Sequence, residues 1–213
     1  MDVEQARFNM VEQQIRTWEV LDTGILDLIT STRREEFVPA HYRDLAFADI
    51  MIPLGHSQVM MEPKVEARLL QALAIEPTDI ILEIGTGSGY FTALLAKQGK
   101  HVFSVDIIAD FTQSAQRALT EHGIHNVTLE TGDAVRGWDK HGPYDVIAIT
   151  GSLPVLPESF LSALKPGGRM VAIVGEPPVM EAILVTHGGA RESLFESSIP
   201  VLLHAEQPPQ FVF

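Results

Sequence analysis

Three glycines alternate in "LEIGTGSGY": Gly85, Gly87 and Gly89, with an acid, Glu83, two residues before the first. The motif follows an apolar, strand-like run and opens a helical one, the context in which closely spaced glycines acquire meaning. Without Cβ atoms the backbone turns tightly and approaches a ligand. A dinucleotide pyrophosphate favours G-x-G-x-x-G with a helix N-terminus facing the phosphates. Here the third glycine comes one residue early. A carboxylate at position 83 would repel a pyrophosphate but could meet an ammonium group. S-adenosylmethionine carries an ammonium, a sulfonium and no phosphate. The glycines alone leave both ligands open.

Other acids follow at regular stations. Asp106 closes the run "HVFSVDI", 17 residues past Gly89. A carboxylate at that strand end can accept both ribose hydroxyls of an adenosyl group; the plainer alternative is a helix-capping or solvated aspartate. Asp133, in "ETGDAV", falls at the carboxyl edge of a third run and can accept from an adenine amino group. Thr150 ends a fourth. Four strand ends in series each carry a group suited to an adenosyl ligand.

The elements that must position these groups alternate along the chain. "EPKVEARLLQALAI" is amphipathic with proline at its first turn. "DIILEIG", "HVFSVDI", "NVTLETG", "YDVIAIT" and "RMVAIVG" are near-continuous apolar runs. Helices are predicted between them, from the glycine motif to Gly99, from Asp110 to Gly123, and over "PESFLSALKPGG". Such runs belong to a parallel sheet covered on both faces. The tail changes character: 181–187 and 191–199 read as two strands turning at Gly188-Gly189, with no helix between. Upstream, 2–16 and 22–31 are predicted helices, the second capped by Asp22. The stretch between them and Pro63 is irregular, with few strand signals.

Composition narrows the chemistry. The 213 residues carry a formal net charge of −13 and no cysteine. Thiolate metal sites, disulfides and thiol nucleophiles are excluded. An acidic surface disfavours a nucleic-acid partner. The one basic pair, Arg33-Arg34, is followed at once by Glu35-Glu36 and reads as a solvated helix end. No apolar run approaches membrane-spanning length, so the expectation is a cytoplasmic protein without metal or membrane, a monomer or weak dimer.

"LEIGTGSGYFTALLA", "VFSVDI", "NVTLETGDAVRGW", "YDVIAIT" and "LKPGGRMVAIVG" resemble the motifs of class I S-adenosylmethionine-dependent methyltransferases. With "EEFVPAHYRDLAFADIMIPLG" ahead of them, they resemble more narrowly the protein-L-isoaspartate (D-aspartate) O-methyltransferase family, over about residues 30–200. That family repairs proteins by methylating isoaspartyl α-carboxylates. The resemblance implies an α/β fold of the Rossmann-like methyltransferase type: a mostly parallel seven-stranded sheet ending in an antiparallel hairpin, with an N-terminal helical appendage. The appendage would span 1–60 and the S-adenosylmethionine-binding domain 61–213, as one structural unit. It also implies Gly85, Gly87 and Gly89 around the donor's methionine part, Asp106 on its ribose and Asp133 near its adenine. Gln58, Glu83, Thr86, Ile107, Ala134 and Thr150 complete the expected donor site.

One departure from the family stands out. The family loop before the first sheet helix reads like G-x-G-Q-T-I-S-x-P, its hydroxyls beside the methyl donor. This chain has "GHSQVMMEP". Gly55, Gln58 and Pro63 match, but Val59 holds the threonine position and Met61 the serine position. Ser57 and His56 are the remaining weak candidates for a catalytic group: Ser57 lies two residues from the first hydroxyl position, and His56 could act as a base for a hydroxyl or amine acceptor, although a lone loop histidine is more often solvated or hydrogen-bonded. Met60 and Met61 either pack the appendage onto the sheet or receive a different acceptor.

The expected function is a donor-dependent O-methyltransferase acting on isoaspartyl proteins or peptides, with weakened or altered acceptor activity. A donor-binding protein that has lost the reaction, a methyltransferase for a small-molecule acceptor, and a nicotinamide dehydrogenase are the other readings. Carbon-5 cytosine transfer is excluded by the missing cysteine. Amine transfer to adenine or amides commonly uses an Asn/Asp-Pro-Pro-aromatic motif where this chain has "TGSLP".

Overall fold

A computed structural model describes residues 2–206. The last seven residues of the expected 61–213 domain lie outside the described residues. The sheet strands are β3 (Ile80–Ile84), β4 (His101–Asp106), β5 (Val127–Thr131), β6 (Tyr144–Leu153), β7 (Leu164–Glu176), β8 (Val179–Thr186) and β9 (Arg191–Ser197). Their order is β5-β4-β3-β6-β7-β8-β9. The first five are parallel, and β8 and β9 close the edge as an antiparallel hairpin that turns through Gly188-Gly189. The chain winds outward from β3 to β5 and then returns to place β6 on the other side of β3. Strand order reverses there, and sheets of this kind bind ligands at that crevice.

Alternation along the strands explains the continuous apolar runs. Ile81, Val146, Ala148 and Val171 enter one core cluster, whereas Leu82, Ile147, Ile149 and Met170 enter the other. Each strand is therefore buried on both faces. The first cluster receives helices α2 (Thr23–Ser31), α3 (Pro63–Leu73) and α4 (Tyr90–Ala96), and the second packs on α6 (Glu158–Ser162). Helix α5 (Ala109–Glu121) lies beyond β4, its Gly123 left-handed as expected of a C-terminal cap.

Four local expectations are corrected. The predicted 2–16 helix divides into α1 (Val3–Asn9), a π-turn over Met10–Ile15 and a 3₁₀ turn over Arg16–Trp18. The wider turn carries Met10 and Ile15, five apart, into the same core. The helix over "PESFLSALKPGG" stops at Ser162, because the carbonyl of Ala163 is already taken by the N–H of Tyr144 on β6. The stretch with few strand signals holds a hairpin, β1 (Ile52–Gly55) with β2 (Gln58–Met60). Its two turn residues, His56 and Ser57, have φ of 50° and 58°. Tight hairpin turns of that geometry normally use Asn-Gly, so the sequence does not announce this one.

The fourth correction concerns Arg34, which is no solvated residue but 1% exposed. Its guanidinium donates to the carbonyls of Ala46 (2.9 Å) and Met61 (2.6 Å), pairs with Glu66 of α3, and lies 4.9 Å from the Tyr90 ring centroid. Burial pushes the Glu66 carboxyl up to about 7, against the pull of Arg34. Removing one partner of such a pair strands the other charge. We expect Arg34→Met to cost about 3–5 kcal/mol in urea unfolding at pH 8, and Arg34→Met/Glu66→Gln to recover part of that loss. Equal stability of the single variant and the wild type would show that Glu66 is neutral and the pair inert.

Candidate active site

At the strand-order reversal lies a cavity of about 580 Å³ of empty space. Gly85 and Gly87 form its floor just past β3, and Asp106 and Ile107 close β4. Gly132, Asp133 and Ala134 follow β5, and Thr150 lies within β6. Leu54, Gln58 and Val59 of the β1–β2 hairpin form the roof, with Phe111 of α5 beside them.

The glycines are required here by geometry. Gly85 has φ 98°, and a Cβ on it would collide with the hydroxyl of Thr150, which donates to the carbonyls of Ile84 (2.8 Å) and Gly85 (2.7 Å). Gly87 has φ 50°, and its N–H donates to Asp106 at 2.9 Å. The other Asp106 oxygen accepts from Ile108 N–H at 2.9 Å. Burial raises the Asp106 carboxyl above its ordinary value, offset by these backbone donors. Each oxygen keeps a further lone pair for a ligand hydroxyl. Asp133 accepts from Val135 N–H at 3.2 Å and from the His204 ring at 2.8 Å.

Of the expected donor residues, Gln58, Gly85, Gly87, Asp106, Ile107, Asp133, Ala134 and Thr150 meet at this cavity. Glu83, Thr86 and Gly89 do not. Gly89 sits where a Cβ would press on Ala115 of α5 at 2.8 Å, so its role is helix packing. Thr86 is buried and shares a hydrogen bond with Ser104 at 2.7 Å. Glu83 is wholly buried behind the glycine turn, and one of its oxygens accepts from Thr92 (2.5 Å) and Ser104 (2.6 Å). Burial pushes its carboxyl up to about 8, partly opposed by those hydroxyls, so at pH 7 it carries little charge to meet an ammonium group.

The loop candidates are also sorted. Val59 faces the cavity. Met60 and Met61 are each 4% exposed in the core cluster, so they pack the N-terminal elements and form no acceptor pocket. His56 and Ser57 are exposed at the hairpin tip, outside the cavity lining, and His56 contacts Asp110 at 3.1 Å. Neither is placed to replace a lost hydroxyl. Leu202 and Leu203, missed in the sequence, line the cavity from the far end of the chain. Nothing local to "IPVLLH" marks them; only the bridge between Ser152 and Val201 brings them there.

The cavity suits an adenosyl sulfonium ligand better than a dinucleotide. Two carboxylates face it, and no Lys or Arg is among the described residues lining it, so a pyrophosphate would find no counter-charge. The family profile for protein-L-isoaspartate(D-aspartate) O-methyltransferase matches residues 5–192. The chain belongs to this family. A protein-L-isoaspartate O-methyltransferase from Gloeobacter violaceus is 36% identical over 186 residues, 86% of this chain and 91% of the relative. One from Rhodopseudomonas palustris is 37% identical, covering 92% and 93%. A Plasmodium falciparum protein of that description, crystallised in complex with S-adenosyl-L-homocysteine, shares the fold at TM-score 0.77 and 17% identity, covering 92% of this chain and 97% of that one.

Membership makes the chain an S-adenosylmethionine-dependent O-methyltransferase of the isoaspartate type. Among the described residues no helix is long and apolar enough to cross a membrane.

Glu83 generates a test. Its folded-state carboxyl lies above the unfolded value near 4.5. The unfolded chain therefore releases this proton first, and stability falls as pH rises from about 4.5 to 8, then levels. Glu83→Gln keeps an acceptor for Thr92 and Ser104 and removes the titration. We expect chemical denaturation at pH 5 and pH 8 to show a smaller loss in the variant, by on the order of 3 kcal/mol. An identical loss in both proteins would mean that Glu83 is charged in the fold.

Proposed function

We propose that the cavity holds the methyl donor with its ribose on Asp106, its adenine at Asp133 and its methionine part over Gly85 and Gly87, and that it presents an isoaspartyl carboxylate to the methyl group beneath Val59. The observation that carries this reading is the convergence of three strand ends on one cavity with no Lys or Arg among its described lining residues, in a chain of this family. When bound, S-adenosylmethionine supplies an electrophilic methyl on a cationic sulfur, which leaves as a neutral thioether in one displacement. A carboxylate is already ionised at neutral pH, so the chain needs no general base. This fits the lining, in which no histidine stands among the described residues. The residues' task is to align nucleophile and methyl in a dry site. Leu54, Val59, Leu202 and Leu203 exclude water there. The net charge of −13 argues against a nucleic-acid acceptor.

Val59 sets the rate in this reading. A hydroxyl at that position would fix the angle of the incoming carboxylate, and a valine cannot. Misplacement by about 1 Å costs on the order of 10²-fold. The wild type is therefore expected to methylate isoaspartyl peptides slowly. Only one of the two family hydroxyl positions can be restored cheaply. Val59→Thr is nearly isosteric at a half-buried position, but Met61→Ser would hollow the core at about 2–5 kcal/mol.

Two measurements test the reading. Asp106→Ala removes the ribose acceptor and the tether of Gly87, and calorimetry should show at least about tenfold weaker binding of S-adenosylhomocysteine. Unchanged affinity would remove Asp106 from the site. Val59→Thr should raise turnover of an isoaspartyl peptide roughly tenfold at little change in donor affinity, an effect of about 1.4 kcal/mol that one oriented hydrogen bond supplies. No gain in a folded, donor-binding variant would show that the carboxylate is oriented by another group.

A further inference from the structure

The last described segment crosses the cavity mouth as a strap. Ile199, Pro200 and Leu202 are all tied to Ser152 of β6: Ser152 N–H donates to Pro200 (3.0 Å), Ser152 Oγ to Ile199 (3.0 Å), and Leu202 N–H to Ser152 (2.9 Å). This docking needs Gly151, where a Cβ would meet Leu202 at 2.5 Å. Beyond Leu203 the chain turns sharply at His204, whose φ is 63°. Few residues other than glycine take that left-handed conformation, asparagine, aspartate and histidine more readily than most. The His204 imidazole reaches Asp133, its Nδ1 lying 2.8 Å from Oδ2. Next along, Glu206 pairs with Arg136 at 3.2 Å. The left-handed turn and the two side-chain contacts together fasten the end of the strap beside Asp133.

Asp133 is the acid assigned above to the adenine, and the following inference rests on that assignment. Its carboxylate would otherwise rotate about a single bond, held only by the 3.2 Å contact with Val135 N–H on Oδ1. His204 adds a second donor on Oδ2 and so defines the plane. Burial pushes the Asp133 carboxyl up, but the His204 and Val135 hydrogen bonds and the charges of His204 and Arg136 outweigh it and hold the group ionised. A carboxylate has about four acceptor positions, so two remain for a ligand after these bonds.

We propose that His204 is a positioning residue for recognition of the donor's adenine: its Nδ1–H fixes the Asp133 carboxylate so that the remaining lone pairs face the 6-amino group. The strap thereby links base recognition to the apolar wall, because the segment that carries His204 also carries Leu202 and Leu203 into the cavity. The effect is specific to a base that donates at its 6-position. A hypoxanthine base, which carries an oxygen there, gains nothing from an oriented acceptor.

The test uses the full chain and two ligands, S-adenosylhomocysteine and S-inosylhomocysteine, with calorimetric dissociation constants. His204→Gly keeps the left-handed turn and deletes the donor. His204→Asn tolerates the same backbone and places an amide nitrogen at the same number of bonds from Cα as Nδ1. We expect His204→Gly to bind the adenosyl ligand roughly tenfold more weakly, with the inosyl ligand little changed, and His204→Asn to restore most of the difference. Three results would overturn the proposal: unchanged adenosyl affinity in His204→Gly, equal weakening of both ligands with no rescue by Asn, or tighter binding, which would mean that His204 competes with the base. Asp133→Asn, measured beside them, separates the two levels of inference. Full adenosyl affinity in that variant would overturn the assignment of Asp133 itself. A loss there, with His204→Gly unaffected, would overturn only the role of His204.

Discussion

A guanidinium buried where three segments meet is the constraint on which this architecture turns. Arg34 comes from the N-terminal segment, Met61 follows the roof hairpin, and Glu66 belongs to α3. Taking Arg34 out of water is costly, and only a full set of acceptors in fixed places offsets it. Two carbonyls and one carboxylate provide that set, with the Tyr90 ring on one face of the cation. The hairpin that roofs the cavity therefore has a fixed end. Met60 and Met61 add apolar contact at the same junction, and the roof residues Gln58 and Val59 precede them directly. A geometric demand at the site is met by a charge that never touches it.

The same logic separates the acids of the cavity region. Glu83 and Asp106 lie at the ends of adjacent strands and burial raises both carboxyls, but only one of them opens on the cavity. Glu83 points into the sheet interior, finds two hydroxyls and is pushed toward neutrality. Asp106 finds two backbone N–H groups and an opening to the cavity. Because one of those N–H groups belongs to Gly87, Asp106 shapes the glycine turn as well as lining the cavity.

The sheet was legible in the sequence because burial on both faces writes long apolar runs, and the closing hairpin because glycine pairs mark its turn. Asp106 and Asp133 could be placed at the cavity from their positions at or just past strand ends, and Thr150 lines it too, although β6 runs on past it to Leu153. What escaped has a common cause. Whether Glu83 faces the ligand or the core depends on strand pleat and on partners 9 and 21 residues away. Arg34 looks like a surface charge until Met61 and Glu66 are brought around it. Leu202 and Leu203 reach the cavity, and His204 reaches Asp133, through a bridge to Ser152 that no local pattern encodes. The hairpin turn at His56-Ser57 is written in residues that rarely adopt its backbone.

The distribution of charge around the cavity bears on how the proposed acceptor is held. An isoaspartyl carboxylate is anionic, and the described lining offers it no Lys or Arg, only Asp106 and Asp133 at the donor's end. Those two acids would repel it in an empty cavity. In the proposed arrangement the donor's polar groups would occupy the lone pairs of both carboxylates, and its sulfonium would be the cation nearest the acceptor. Apolar walls at Leu54, Val59, Leu202 and Leu203 lower the local dielectric and strengthen that attraction. After transfer the acceptor is a neutral ester, so the electrostatic reason for it to stay is gone. A site that carried a lysine for the carboxylate would bind acceptor without donor and would keep attracting unmodified acceptor after the reaction. In the proposed arrangement, leaving the cation to the donor would make acceptor binding conditional on a loaded site, with the remaining burden of alignment on the roof position that Val59 holds.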